Sequence, residues 1–141
     1  MYNRFVRGII PTQKEQKAIR AFVREQFNSS DIKSGPDFDT VYAIGGTARS
    51  AGKLHRALTG QNRPIEGYPL TCEQMDELCE LMTALDMHGL RLMERVAPER
   101  ITTIVPGILV IRTICRILGA KQIQVVKNGV REGYLCRYLL K

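Results

Sequence analysis

Two adjacent glycines are the part of this sequence best suited to binding an anion. Gly45 and Gly46 follow an uninterrupted β-branched and aromatic run at 40–44, and apolar residues at helical spacing follow Thr47. At the carboxyl end of a buried parallel strand, such a turn places unpaired backbone N–H groups at the positive end of a helix, where phosphate binds. Two positions without side chains also let the backbone approach an oxygen anion closely. The turn therefore predicts a phosphate site.

Three polar side chains could complete this site with further donors. We expect Thr47 to cap the helix or to donate its hydroxyl, and Arg49 to make a two-pronged contact with phosphate. Arg131 could face the same anion, with Glu132 orienting it through an ion pair. A purely structural interpretation stays open for both groups: the glycines only allow a tight turn, and the Arg131–Glu132 pair only fixes the last helix to a strand.

The elements around the glycine turn are a strand between two helices. Thr12 and Glu15 form a capping box, and the apolar spacing after them predicts a helix over 13–28. The run at 40–44 predicts a short buried strand. The spacing after the turn predicts a helix that stops near Gly60.

The middle of the chain reads as a loop followed by core helices. Residues 60–70 have the composition of an exposed loop, and Thr71 with Gln74 forms a second capping box. Two apolar stripes at helical spacing predict buried helix faces, the second on a helix that ends at Gly119. The stripes consist of Met75, Leu78, Cys79, Met82 and Leu85, and of Ile108, Ile111, Ile114, Cys115 and Leu118.

The last elements complete an α/β pattern with few strands. Residues 122–126 predict a second strand, Asn128-Gly129 a turn, and 130–140 a closing helix. Helices therefore flank the strands, as in an α/β fold with a parallel sheet. Two strands do not make a stable sheet by themselves, so the pattern predicts an incomplete sheet.

Composition limits the class of protein. A chain of 141 residues predicts a single domain over 1–141. No apolar run approaches the roughly 20 residues of a membrane span, and the N-terminus has no secretory signal, so we expect a cytoplasmic protein with no membrane partner. Lys and Arg outnumber Asp and Glu by 21 to 14, and the net charge of +7 favours polyanionic partners.

The cysteines and histidines do not have the spacing of a metal site. The cysteines form no C-x-x-C pair, and His55 and His88 are not spaced with them as zinc ligands. Each cysteine falls where a core position is expected, which predicts buried free thiols. The four are Cys72, Cys79, Cys115 and Cys136.

Three segments in the same order resemble the exopolyphosphatase and guanosine pentaphosphate phosphohydrolase family. They span about residues 40–135, which makes the resemblance specific. The segments are Ala43-Ile44-Gly45-Gly46-Thr47-Ala48-Arg49 with the helix running on to Lys53-Leu54-His55, Pro98-Glu99-Arg100 followed by Ile104-Val105-Pro106-Gly107, and Gly129-Val130-Arg131-Glu132-Gly133-Tyr134-Leu135. The resemblance implies the fold of actin, hexokinase and Hsp70, in which two ribonuclease-H-like lobes clasp phosphates in a cleft.

By this resemblance the chain is the second lobe and supplies part of the phosphate-binding wall. It assigns substrate contact to Gly45, Gly46, Thr47 and Arg49, and it places Arg131 nearby. It implies polyphosphate or a phosphorylated guanosine nucleotide as the substrate, and Mg²⁺ as the cofactor of the intact enzyme.

The sequence also departs from the family's pattern. The first lobe, with its phosphate loop and general-base glutamate, and the aspartate-led strand that starts the second lobe have no counterpart here. Asp37 and Asp39 precede the glycine strand at its amino-terminal end, where we expect them only to solvate a loop. We therefore predict a fragment without catalytic residues or metal ligands of its own. It should bind phosphate without hydrolysing it, and its open sheet edge should favour a homo-oligomer.

A stand-alone basic module that binds nucleotides or RNA is the alternative function. It would use the same glycine turn and the net charge of +7. The sequence has five tyrosines, four phenylalanines and no surface strand that interleaves basic and aromatic residues. Because single-strand binders stack bases on such residues, this composition argues against RNA.

Overall fold

The computed structural model describes residues 2–32, 38–84 and 87–140. These residues form a three-stranded sheet and a layer of helices. In chain order the elements are α1 Tyr2–Phe5, α2 Gln13–Asn28, β1 Thr40–Ile44, α3 Gly46–Thr59, β2 Pro69–Thr71, α4 Cys72–Thr83, α5 Met87–Val96, a 3-10 turn at Pro98–Arg100, α6 Ile104–Leu118, β3 Gln122–Val126 and α7 Val130–Tyr138.

The sheet has β3 at its centre, with β1 on one side and β2 on the other. β1 and β3 run parallel in a register that joins Ala43 to Val125, whereas β2 runs antiparallel and joins Leu70 to Ile123. The two predicted strands are confirmed at their predicted bounds. β2 was not predicted, because three residues that begin with a proline are too short to show the alternation of a strand.

The core lies where α6 meets α2, α3 and α4. The predicted stripe of α4 is buried at Met75, Leu78, Cys79 and Met82, while Leu85 falls outside the described residues. Both predicted capping boxes are present, at the starts of α2 and α4. Hydrophobic burial in this helical layer is the main source of stability, since it removes large side chains such as Met75, Leu78 and Ile108 from water.

An ion pair ties α4 to α6 at the edge of this core. Arg112 donates to both carboxylate oxygens of Asp76, with Nε–Oδ1 at 2.9 Å and Nη2–Oδ2 at 2.6 Å. Arg116 adds a third contact to the same carboxylate, at 3.1 Å. A two-pronged pair fixes orientation as well as charge, so it holds the two helices in one register.

The sequence pattern predicted α4 but did not predict α5 as a separate helix after it. α4 ends at Thr83, and the chain resumes at Met87 in an amphipathic helix that packs on α3. Gly89 lets α5 lie closely against α4 as well, because a Cβ there would lie 2.5 Å from the backbone oxygen of Leu81. The close approach of two backbones leaves no sequence signal other than the glycine itself.

The cysteine prediction is correct for three residues and wrong for the fourth. Cys72, Cys79 and Cys115 are buried thiols, but Cys136 is exposed on α7. No residue of α7 is buried, so its apolar spacing does not face a core. Burial raises the pKa of both Cys79 and Cys115 to about 12, which keeps these thiols protonated and unreactive.

No helix among residues 2–32, 38–84 and 87–140 is long and apolar enough to cross a membrane. α2, the longest of them, has 16 residues and carries charged side chains along its exposed face.

Candidate phosphate-binding site

The glycine turn joins β1 to the start of α3. Gly45 is the N-cap of α3 and has a φ of 113°, a conformation that side-chain-bearing residues rarely adopt. No heavy atom lies within 4 Å of the position that a Cβ would take at Gly45. The turn therefore presents an open approach to the free backbone N–H groups at the start of the helix.

Gly46 makes room for Arg100 at the start of α3. The sequence pattern did not assign Arg100 to the site. A Cβ at Gly46 would fall on the guanidinium of Arg100, so the missing side chain is what lets that group lie against the first turn of α3. Arg100 is half-buried, and its Nε lies 3.7 Å from Oε1 of the exposed Glu99. A guanidinium at the positive end of a helix adds full charge to the partial charge of the backbone.

Thr47 faces the start of α6 rather than the open turn. A Cβ at Gly107 would come within 2.5 Å of Thr47 Cγ2 and 3.0 Å of its hydroxyl oxygen, so the two helix starts pack closely here. The expectation that Thr47 caps α3 is wrong, because Gly45 takes the N-cap position and the helix has no side-chain cap. Thr47 is a packing residue in this arrangement, with Gly107 as its counterpart on α6.

Arg49 links α3 to the end of the central strand. Its Nη1 donates to the backbone oxygen of Lys127 at 2.9 Å, and its side chain is half-buried. This bond uses one of the five N–H groups of a guanidinium and fixes the direction of the rest. Arg49 is therefore held beside the glycine turn with donors still available.

The segment around Arg131 lies at the same edge of the sheet. Because β1 and β3 are parallel, the turns at Gly45 and Gly129 leave the sheet on the same side, and a Cβ at Gly129 would lie 3.6 Å from Ile44 Cγ2. Arg131 is exposed in the first turn of α7. The sheet thus brings the predicted residues of two distant segments to one surface.

Glu132 caps α7 instead of pairing with Arg131. Its Oε2 accepts a hydrogen bond from the Gly129 backbone N–H at 2.7 Å, and the ion pairs between described residues do not include Arg131 with Glu132. Hydrogen bonding to its own backbone N–H and to that of Gly129 lowers the pKa of Glu132, and the charges of Arg131 and Arg49 lower it further. Glu132 is therefore an ionised cap at neutral pH, which makes it a weak general base.

The described residues do not offer a metal centre at this surface. Among them, no group of three or more His, Cys, Asp or Glu side chains is placed to hold a metal ion. Asp39 lies at the opposite end of β1, where Lys121 Nζ binds its carboxylate at 2.8 Å and lowers its pKa, and Asp37 falls outside the described residues. Mg²⁺ is usually held by one or two carboxylates together with water and substrate phosphates, and at this surface Glu132 is engaged as the cap of α7 while Glu99 faces Arg100.

Comparisons with known proteins agree with the sequence resemblance. The model of the Ppx/GppA phosphatase family matches residues 1–141. A solved structure of the Ppx/GppA family member of Aquifex aeolicus is similar with a TM-score of 0.74 at 21% identity, over 96% of this chain and 44% of that one. The comparison with curated proteins gave no match.

Two further structures give the same result. A crystal structure of the type II variant of the Aquifex aeolicus Ppx/GppA phosphatase has a TM-score of 0.75 at 21% identity, over 97% of this chain and 45% of that one. An exopolyphosphatase from Cytophaga hutchinsonii has a TM-score of 0.71 at 14% identity, over 95% and 44%. This chain therefore spans less than half the length of the solved structures that it matches. It belongs to the Ppx/GppA phosphatase family.

Proposed function

We propose that this chain is a ribonuclease-H-like second lobe that forms one wall of a phosphate-binding cleft. The observation that carries the proposal is the meeting of Arg49 and Arg100 with the open turn at Gly45–Gly46. The ligand is the phosphoanhydride chain of polyphosphate or of guanosine pentaphosphate, as the family membership and the net charge of +7 both favour.

Electrostatics support the proposal independently of the family. The start of α3 presents free N–H groups and the positive end of the helix dipole. Two half-buried guanidiniums lie beside it, one of them fixed by Lys127 and one by its contact with Gly46. Donors that are already oriented lose little conformational freedom when an anion binds, so the site is built for affinity.

In this proposal the described residues of the wall do not supply the groups that hydrolysis requires. Attack of water on a phosphoanhydride needs Mg²⁺ to neutralise charge and a base to position the nucleophile. Glu132, a carboxylate at the same edge of the sheet, caps α7 and has a lowered pKa. In our proposal the first lobe supplies the base and the carboxylates, and this chain binds and orients phosphate.

Binding of inorganic triphosphate, measured by titration calorimetry, tests the wall. Arg49→Ala and Arg100→Ala should each weaken binding by about 1.5–3 kcal/mol, the contribution of one charge-assisted contact. Arg24→Ala removes an equal charge from an exposed position on α2 and serves as the matched control. If both variants fold and their affinity for triphosphate is unchanged, the glycine turn has only a structural role.

Two further experiments test the ligand class and the absence of hydrolysis. A single-stranded RNA oligonucleotide should bind more weakly than triphosphate; tighter binding of RNA would favour the alternative module. Phosphate release from polyphosphate with Mg²⁺ should require a separately expressed first lobe. Release by this chain alone, abolished by Arg49→Ala, would overturn the proposed division of labour.

A further inference from the structure

A cavity of about 540 Å³ lies at the end of the sheet opposite to the glycine turn. Thr71 and Gln122, which pair at the start of β3, form part of its wall. Gly45 and Gly129 instead follow the carboxyl ends of β1 and β3. The start of α4 and the end of α6 complete the wall of the cavity, and the proposed phosphate site does not use it.

Two of the three buried thiols line this cavity. Cys72 is the first residue of α4, and its Sγ donates to the backbone oxygen of Ala120 at 3.0 Å. Cys115 lies near the end of α6, and its backbone oxygen accepts a hydrogen bond from the N–H of the same Ala120 at 2.9 Å. The shared partner brings the two cysteines together in one wall.

The two side chains also interact directly. Burial raises the pKa of Cys72, and a hydrogen bond from the Cys115 thiol acts in the opposite direction. Burial raises the pKa of Cys115 to about 12. Both thiols are therefore protonated at neutral pH when no ion is bound.

Positive charge beside the pair favours an anionic complex. Arg112 lines the same cavity, and against the effect of burial its charge acts to lower the pKa of both thiols. Cys72 also lies at the positive end of the α4 dipole. Glu73 and Asp76 oppose these charges at Cys72, but the Asp76 carboxylate is itself paired with Arg112 and Arg116.

We propose that Cys72 and Cys115 form a two-coordinate site for a soft monovalent cation, Cu⁺. Thiolate sulfur prefers such ions, and two sulfur ligands are enough for Cu⁺. Zinc takes three or four protein ligands, and no group of three or more His, Cys, Asp or Glu side chains among the described residues is placed to hold a metal.

Binding of the ion exchanges protons for metal without electron transfer. Two S–H bonds break and release their protons to water, and two S–Cu bonds form. The neutral thiol pair and the cation thus become a complex with a single negative charge. Arg112 and the start of α4 stabilise this charge, since both are positive.

Anaerobic titration with Cu⁺, in the presence of a phosphine reductant, tests the site. The Cys136→Ser variant removes the exposed thiol, and it should take one Cu⁺ per chain from a chromophoric chelator with release of two protons. Adding Cys72→Ser or Cys115→Ser should lower the affinity about a hundredfold or more, because loss of a direct ligand costs at least as much as loss of a residue that only orients one. Cys79→Ala removes a buried thiol outside this cavity and should leave the affinity unchanged.

X-ray absorption makes the test independent of these variants. Copper bound to the Cys136→Ser chain should have two sulfur ligands. Three or four sulfur ligands, or the absence of binding by this chain, would overturn the proposal. Undiminished affinity after Cys72→Ser, or loss of binding after Cys79→Ala, would also overturn it when circular dichroism shows that the variant is folded.

Discussion

The α4–α6 layer and the flank formed by β1 and α7 differ sharply in burial. Met75 and Ile108 are fully buried between helices, whereas Tyr42 and Ile44 on β1 are 67% and 57% exposed. Nothing in α7 is buried, although it carries Val130, Tyr134 and Leu135 among other apolar residues. The helices thus hold the fold together, while the proposed binding wall lies beside an apolar surface with no cover among the described residues.

Thiol reactivity should show the largest contrast between these regions. Cys136 on α7 should react rapidly with a disulfide reagent in the native protein. Cys72, Cys79 and Cys115 should react at least about a thousandfold more slowly, because they need an opening of the core and have raised pKa values. Titration should give one fast thiol in the native state and four in denaturant. A second fast thiol would mean that the helical layer opens locally.

Two leucines give a matched comparison of stability. Leu109 in α6 is 1% exposed and Leu135 in α7 is 45% exposed. Leu109→Ala should lower the free energy of unfolding by about 2–5 kcal/mol, because it removes buried surface and leaves a cavity. Leu135→Ala should change it by less than about 1 kcal/mol. Urea denaturation measures both, and equal losses would show that α7 is packed as tightly as α6.

Two helical glycines should respond to alanine with opposite signs. Gly89→Ala drives a Cβ into the Leu81 backbone and should destabilise the protein by about 1–3 kcal/mol. Gly133→Ala meets no atom within 4 Å and should stabilise α7 by about 0.5–1 kcal/mol, through helix propensity alone. Thermal unfolding reports the first change and hydrogen exchange of the α7 amides the second. Stabilisation by Gly89→Ala would contradict the close contact of α5 with α4.

Self-association should be the smallest effect, and it should occur through the exposed apolar surface formed by β1 and α7. β1 forms one edge of the sheet, and its exposed side chains favour a second copy of the chain as a partner. Ile44→Lys should shift a concentration-dependent dimer toward monomer in analytical ultracentrifugation. Met87→Lys, at an equally exposed position on α5, should not. A strictly monomeric wild-type chain at high concentration would contradict this prediction.

Local patterns in the sequence predicted the elements that neighbouring residues determine. The two capping boxes and the glycine turn depend on residues at most three or four positions apart, and the structure has all three. Arg100 reaches the turn from another part of the chain, so only the folded structure shows its contact with Gly46. Cys136 was misjudged for a related reason: helical spacing shows which face is apolar, but not whether anything packs on it.

The pairing of β1 with β3 has a consequence for how the chain folds. Thr40 and Gln122, joined by a side-chain hydrogen bond at 3.0 Å, are 82 residues apart. Closing such a loop costs about 4 kcal/mol of chain entropy before any contact compensates for it, and non-local parallel pairing is slow in general. Helix pairs that are closer in sequence can form first. The hydrogen bond from Arg49 to Lys127 forms only after β1 and β3 have paired, so the binding wall is completed late in folding. A phosphate ligand would therefore bind only chains that have finished folding.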